Sequence, residues 1–159
     1  MNRPVRPPVT PADADRALYL DFEGLMGEVP CLLGVRSGLL GPTEQFILDA
    51  GLAPMDGYES PSITWTVRAV DPVALFRRLR ADVLRDGRRV FAWSTRESQA
   101  MADLLAEDPE LAAFWTDAVE NAIPHARAWK RRHHADVEFP AVDRRGRHRL
   151  ECYEQLLGI

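Results

Sequence analysis

The stretch that decides the fold is Ala17–Gly24, which reads ALYLDFEG. It is short, apolar and ended by a glycine, so we predict a β-strand. Because successive strand residues point to opposite faces, Asp21 and Glu23 share one face. Two carboxylates a few ångströms apart repel each other and lose hydration, which a hard divalent cation would offset. The alternative is that the strand ends at Phe22 and Glu23 faces water.

Two further apolar runs follow this strand. Pro30–Val35 and Thr43–Asp49 are predicted strands, and their short connections suit a three-stranded antiparallel meander. Residues 50–62 are rich in Gly, Pro and Ser, which indicates a loop. Ile63–Val67 is either a short strand or an extended excursion.

The hydrophobic period then changes to that of a helix. Asp71 supplies an N-cap, a proline follows at the first helical position, and Gly87 ends the helix. One face carries apolar residues at helical spacing: Val73, Phe76, Leu79, Val83 and Leu84. Arg89–Trp93 is predicted to be a buried strand, and Thr95 is expected to cap a helix over Arg96–Glu107, with Met101, Leu104 and Leu105 on its apolar face.

The remainder is mostly helical by pattern. Pro109–His134 is a predicted helical segment with a break or restart at Pro124, Pro140–Arg149 a polar loop, and Arg149–Leu157 a short helix. The order of elements predicts an α/β fold with a mixed sheet.

Glu97 stands in the first turn after the Arg89–Trp93 strand. If that strand pairs parallel to the first one, its C-terminal end lies beside Asp21, and Glu97 reaches the same place. The alternative is a local role, in which Glu97 favours the positive helix N-terminus or closes a turn with Ser94.

Length and composition indicate one ordinary globular domain. The chain has 159 residues, of which 46% are hydrophobic and 28% charged. We expect an extended proline-rich tail over residues 1–16 and a single domain over residues 17–159. No run approaches the ~20 apolar residues of a membrane span. Cys31 and Cys152 are far apart in apolar contexts, which favours separate buried thiols in a cytoplasmic protein.

The net charge of −4 is unevenly distributed. Residues 125–149 carry eight basic and three acidic side chains, together with all four histidines. This basic segment is either a phosphate-binding footprint or a solvated face or loop. His133 and His134 are adjacent on a predicted helix and point about 100° apart, so they are poorly placed to chelate one metal together.

Four short motifs resemble the ribonuclease H-like superfamily. Within it they are most similar to the predicted RecB-family nucleases of the YprB type, relatives of the DEDD 3′–5′ exonucleases. Asp21–Glu23 resembles the first motif, D-x-E, and Leu32–Val35 the L-x-G-V that follows it. Ala92–Glu97 resembles H-Y-x-x-Y-E with only the acid kept. Asn121–Arg127 resembles D-L-L-P-x-A-R, and Arg149–Ile159 the segment ending L-L-G-I. The similarity covers about residues 17–159.

The resemblance implies a three-layer fold and a two-metal nuclease that hydrolyses phosphodiester bonds with Mg²⁺ or Mn²⁺. Asp21 and Glu23 would be metal ligands, and Glu97 the acid of the second motif. A single-stranded DNA or RNA end is the implied substrate, with Trp93 or Trp65 available for base stacking. The basic segment would follow the phosphate backbone; its implied contacts are Arg127, Lys130, Arg131, Arg144, Arg145 and Arg147. A fused or associated helicase or nuclease partner is also implied.

Two departures bear on catalysis. The family pattern has a final acid on a helix after the L-L-G-I segment, and no residue up to Ile159 can take that role. A truncated chain, an acid supplied otherwise, and lost catalysis all remain open. Asn121 stands where the family has an Asp, and Asp117 could substitute if the segment is helical. Three hypotheses follow: a nuclease, a catalytically incomplete module that binds nucleic acid or a protein, and an α/β domain without a nucleic-acid role.

Overall fold

The computed structural model describes residues 7–24, 28–55, 67–139 and 152–153. Backbone contacts divide the chain into two compact units, Met1–Glu120 and Asn121–Ile159. The expectation of a single domain over residues 17–159 stays a prediction.

A six-stranded mixed sheet organises the fold and confirms the predicted α/β class. Its strands run in the order β4-β3-β2-β1-β5-β6. Their bounds are β1 Leu18–Glu23, β2 Leu32–Ser37, β3 Thr43–Ile47, β4 Val67–Ala69, β5 Val90–Ala92 and β6 Val119–Asn121. The β1, β2 and β3 strands form the predicted antiparallel meander, whereas β1 pairs with β5, and β3 with β4, in parallel.

Five α-helices and one 3₁₀ segment accompany these strands among the described residues. They are α1 Pro11–Arg16, the 3₁₀ segment Ala50–Met55, α2 Pro72–Asp86, α3 Thr95–Leu104, α4 Pro109–Ala118 and α5 Ile123–His133. None of the described helices is long and apolar enough to cross a membrane. The predicted loop over Pro140–Arg149 lies outside the described residues. Of the predicted helix after it, Cys152 and Tyr153 are described, and both are helical.

The α2 helix forms where its capping residues predict. The Asp71 side chain accepts from the backbone N–H of Ala74 at 2.9 Å, and Gly87 ends the helix in the left-handed region with φ of 59°. Both caps are therefore confirmed. The predicted apolar face is wrong at one position: Leu84 is 61% exposed, and Leu75 is buried instead.

The core lies between one face of the sheet and helices α2, α3 and α4. Leu18 and Leu20 of β1 are buried there together with Leu33 and Val35 of β2. Phe76 of α2 packs edge-on against Trp115 of α4, with ring centroids 5.3 Å apart. Because this face of β1 holds the core, Tyr19, Asp21 and Glu23 project from the other one.

Three local predictions are corrected. Residues 11–16 form α1 rather than extended tail, because Thr10 and Asp13 make a capping box with a proline in the first turn. The N-cap of α3 is Ser94 rather than Thr95, and the helix ends at Leu104 rather than Glu107. The chain between Asp117 and Asn121 leaves α4 at Ala118 and enters β6, so it is not helical.

Candidate functional site

The two carboxylates of β1 lie at the C-terminal end of this strand, which is internal to the sheet between β2 and β5. Asp21 and Glu23 are both exposed. Asp21 pairs in register with Gly34 of β2, and the missing side chain leaves the strand face beside the Asp21 carboxylate uncovered. The backbone N–H of Cys31 donates to the Glu23 carbonyl at 3.0 Å, which holds the end of β1 against the chain entering β2.

Glu97 reaches this place through the parallel pairing of β1 with β5. Leu20 lies opposite Ala92, so both strands end at the same edge of the sheet, and α3 starts directly after β5. The predicted parallel pairing is thus confirmed.

Glu97 also has the local role that the sequence left open. Its Oε2 accepts from the Ser94 backbone N–H at 3.0 Å and from the Ser94 hydroxyl at 2.6 Å. The Ser94 hydroxyl in turn accepts from the Arg96 backbone N–H at 3.2 Å. This capping box fixes the carboxylate at the first turn of α3. One oxygen of Glu97 is therefore engaged by the helix cap.

Electrostatic repulsion couples the three acids. The pKa of Asp21 is raised, first because the surrounding protein removes part of its hydration and then because Glu23 and Glu97 add negative potential. Among the described residues, no Lys, Arg or His forms an ion pair with any of the three. The site therefore carries negative charge that the described part of the chain leaves unpaired.

A groove of about 870 Å³ opens beside Glu23 and Glu97. Its charged lining is mostly acidic and comprises Glu23, Glu28, Glu97, Asp103 and Arg96. Its apolar lining comprises Phe22, Val29, Pro30 and Ala100, and Val29 is 58% exposed. The sequence reasoning missed Glu28, Val29 and Asp103. Asp103 lies four residues after Gln99 and three after Ala100, so the three share one face of α3. That spacing is the only sequence signal that would have indicated Asp103.

The donor chemistry of Asp21 and Glu23 suits a hard cation, because both offer anionic oxygens and their repulsion favours a positive charge. The described residues nevertheless contain no group of three or more His, Cys, Asp and Glu side chains placed to hold a metal ion. The carboxylate pair thus offers the type of ligand that Mg²⁺ prefers, and it would supply only part of a coordination shell.

The positions proposed for the missing acid have other surroundings. Asp117 is exposed on α4, and Asn121 is half-buried at the end of β6. The Asn121 side-chain oxygen accepts from the Ile123 backbone N–H at 2.9 Å, which is a turn that leads into α5. Residues 117–121 are not one helix, so the condition under which Asp117 could substitute for Asn121 on a shared helical face is not met.

The basic segment is described only in part. Arg127, Lys130 and Arg131 lie on α5, whereas Arg144, Arg145 and Arg147 fall outside the described residues, as does Trp65. Lys130 is turned toward its own helix end. Its Nζ donates to the carbonyls of His134, at 3.2 Å, and Val137, and it lies 5.0 Å from the centroid of the Phe139 ring. Lys130 therefore caps the C-terminus of α5 by hydrogen bonding to the carbonyls that follow it.

The two cysteines are unpaired, as expected. Cys152 is buried, whereas Cys31 is only half-buried, so the prediction of two buried thiols is wrong for Cys31. The Cys31 thiol donates to the Glu23 carbonyl at 3.4 Å.

Comparison of the chain with protein-family models, with curated proteins and with solved structures finds no match in any of the three.

Proposed function

We propose that this chain is a ribonuclease H-like, metal-dependent nuclease domain that hydrolyses phosphodiester bonds in nucleic acid, in the manner of 3′–5′ exonucleases. The observation that carries the proposal is the β1–β5 pairing. It brings Asp21 and Glu23 of β1 to the same sheet edge as Glu97 of α3, where a groove lies beside them. The antiparallel meander followed by a helix and a parallel strand is the arrangement that the motif resemblance implies.

In this proposal Asp21 and Glu23 hold the cation, and Mg²⁺ or Mn²⁺ supplies the activation of a water and the stabilisation of the leaving oxygen. Glu97 adds negative potential at the same edge. Its hydrogen bond with the Ser94 hydroxyl fixes the position of its carboxylate. The apolar wall of the groove, including Val29, offers contact area for a nucleobase or sugar. The final acid of the family pattern has no assigned residue.

A second candidate function is a module that binds nucleic acid or a partner protein without cleaving it. Two observations support it as the second candidate. One Glu97 oxygen is engaged in the capping box, and the described residues contain no group of three metal-binding side chains. Both candidate functions use the same sheet edge, so the same variants can test them. Measurement of both ion binding and cleavage distinguishes the nuclease from the binding module.

The test combines ion binding with cleavage. Calorimetric titration with Mn²⁺ is performed on the wild type, on Asp21→Asn and on Glu44→Gln as the matched control. Glu44 is an exposed strand carboxylate that lines a separate cavity beside Arg78. End-labelled single-stranded DNA and RNA are then incubated with each protein in Mg²⁺ or Mn²⁺.

The nuclease proposal expects binding heat and cleavage in the wild type and in Glu44→Gln, and the loss of both in Asp21→Asn. Equal heats in the wild type and Asp21→Asn would remove the metal site. Mn²⁺ binding with no cleavage of either nucleic acid would favour the binding module. Cleavage that survives Asp21→Asn would belong to a contaminant or to another site.

A further inference from the structure

One face of α5 combines an aromatic ring with positive charge. The helix reads IPHARAWKRRH and contains four basic residues and no acidic one. Because residues three and four apart share a helical face, Trp129 stands beside Arg132 and His133. The Trp129 ring centroid lies 6.0 Å from that of His133 and 4.9 Å from that of His134.

The three side chains of this face are accessible to solvent to different extents. Trp129 is half-buried, whereas Arg132 and His133 are exposed. The acidic residues that follow the helix, Asp136 and Glu138, are also exposed, and no ion pair joins either of them to Arg132 in the described part of the chain.

The other basic residues of α5 are oriented differently. Lys130 donates to carbonyls at the end of its own helix. Arg127 and Arg131, four residues apart, act electrostatically on Tyr153, whose pKa is raised by burial against their opposing effect. The residues of α5 that the resemblance implies as phosphate contacts are therefore not the ones that flank the half-buried Trp129 ring.

We propose that the α5 face formed by Trp129, Arg132 and His133 is a binding surface for single-stranded nucleic acid. A base stacks on the Trp129 ring, and Arg132 and His133 contact the adjoining phosphates. Stacking on an aromatic ring beside a cationic side chain accepts any base, so the surface binds strands without sequence preference. The choice of nucleic acid as the partner rests on the proposed function; the surface itself does not require cleavage.

The experiment measures binding in EDTA, where no metal-dependent cleavage takes place. A labelled oligothymidylate is titrated with the full chain, by anisotropy at several NaCl concentrations and by quenching of tryptophan fluorescence. The variants are Trp129→Ala, Trp129→Phe and Arg132→Gln. The matched control is Arg16→Gln, which removes the same charge from an exposed residue in the last turn of α1.

We expect Trp129→Ala to weaken binding about tenfold, as loss of one stacked base does, and Trp129→Phe to bind within about threefold of the wild type. Arg132→Gln should reduce the slope of log K against log salt by about 0.7, the value for one phosphate contact on a single strand, and Arg16→Gln should leave the slope unchanged. Trp129→Phe should also lose the quenching. If Trp129→Ala fails to fold by circular dichroism, this loss of quenching decides the matter.

Wild-type binding in Trp129→Ala, or quenching that persists in Trp129→Phe, would overturn the inference. So would equal displacement of the oligonucleotide by polyglutamate, which would indicate an acidic protein as the partner. A wild type that binds no oligonucleotide overturns it as well. Cleavage assays in Mg²⁺ separate the two proposals. Cleavage together with oligonucleotide binding that is insensitive to Trp129 leaves the nuclease and removes this surface. Trp129-dependent binding without cleavage leaves this surface and removes the nuclease.

Discussion

Replacement of Arg89 by methionine should be among the most destabilising single changes to a charged residue in this chain. Arg89 forms a two-point ion pair with Glu120, with nitrogen–oxygen distances of 2.8 and 2.6 Å. It also donates to the carbonyls of Pro7 and Pro8 at 3.1 and 3.2 Å, and it stacks over the Phe91 ring at 5.4 Å. One side chain thus joins the start of β5, the strand β6 and the segment before α1.

The size of the effect follows from burial. The side chains of Arg89 and Glu120 are 15% and 9% exposed, so Arg89→Met removes the guanidinium that pairs at two points with a nearly buried carboxylate. Removal of one member of a buried pair costs 3–5 kcal/mol, and the remaining access of water to both groups places this pair at about 3 kcal/mol. The carbonyls of Pro7 and Pro8 lose donors in the same step.

The chain offers a matched control in Arg77 and Asp108. This pair also spans 31 residues and has a 2.7 Å contact, but Arg77 is 65% exposed. Arg77→Met should therefore reduce the free energy of unfolding by only about 0.5 kcal/mol. The double variant Arg89→Met/Glu120→Leu should recover most of the loss, because both charges leave the buried site together.

Urea unfolding followed by circular dichroism measures all four proteins under the same buffer conditions. The reasoning is refuted if Arg89→Met and Arg77→Met cost the same free energy. It also fails if the double variant is no more stable than Arg89→Met, since the cost would then come from the lost contacts of Arg89 itself rather than from the nearly buried charge of Glu120.

Three further changes test other parts of the molecule. Asp21→Asn in EDTA should raise the free energy of unfolding at pH 7, because the pKa of Asp21 is raised and its charged form is disfavoured by partial desolvation and by Glu23 and Glu97. This gain in stability should vanish below about pH 4, where the carboxyl is protonated in the unfolded chain as well. A gain in stability that does not depend on pH would contradict this cause. Ser94→Ala should cost about 1 kcal/mol in urea through loss of the α3 cap, and Ser94→Thr much less; equal losses would exclude the hydroxyl as the source. Gly38→Ala should cost about 2 kcal/mol, because φ is 77° and an added Cβ would lie 2.3 Å from a carbonyl oxygen; an unchanged urea midpoint would show that the turn relaxes freely.

Local patterns were sufficient for the parts of the fold that local forces determine. The α2 helix has its N-cap at Asp71 and its end at Gly87, as the sequence predicts, and the three-stranded meander follows from short apolar runs with short connections. The capping box that selects Ser94 over Thr95 was also readable, since Ser94 and Glu97 have the required spacing. The same spacing of Thr10 and Asp13 indicates the start of α1. The proline content of the segment favours an extended tail instead, and the prediction made from it was wrong.

Other features depend on distant partners. Val119–Asn121 becomes a strand within the sheet, although its three residues have no strand pattern of their own. Leu84 shares a helical face with buried residues but projects beyond the packed layer, so it is 61% exposed. In the candidate site, the carboxylates of β1 and the approach of Glu97 could be predicted. The groove lining at Val29 could not, because it depends on how the chain turns between β1 and β2.

The parallel pairing of β1 with β5 also sets an order of events in folding. During synthesis β1 meets β2 at once, but β5 is made only after β2, β3, β4 and α2 have followed. Until then the second edge of β1 presents unpaired backbone groups to solvent, which is the condition under which nascent chains join edge to edge. The acids of β1 and α3 come together only when this late contact closes. Assembly of the acidic edge therefore reports closure of the β1–β5 pairing, and slow closure would appear as aggregation before it appears as altered chemistry.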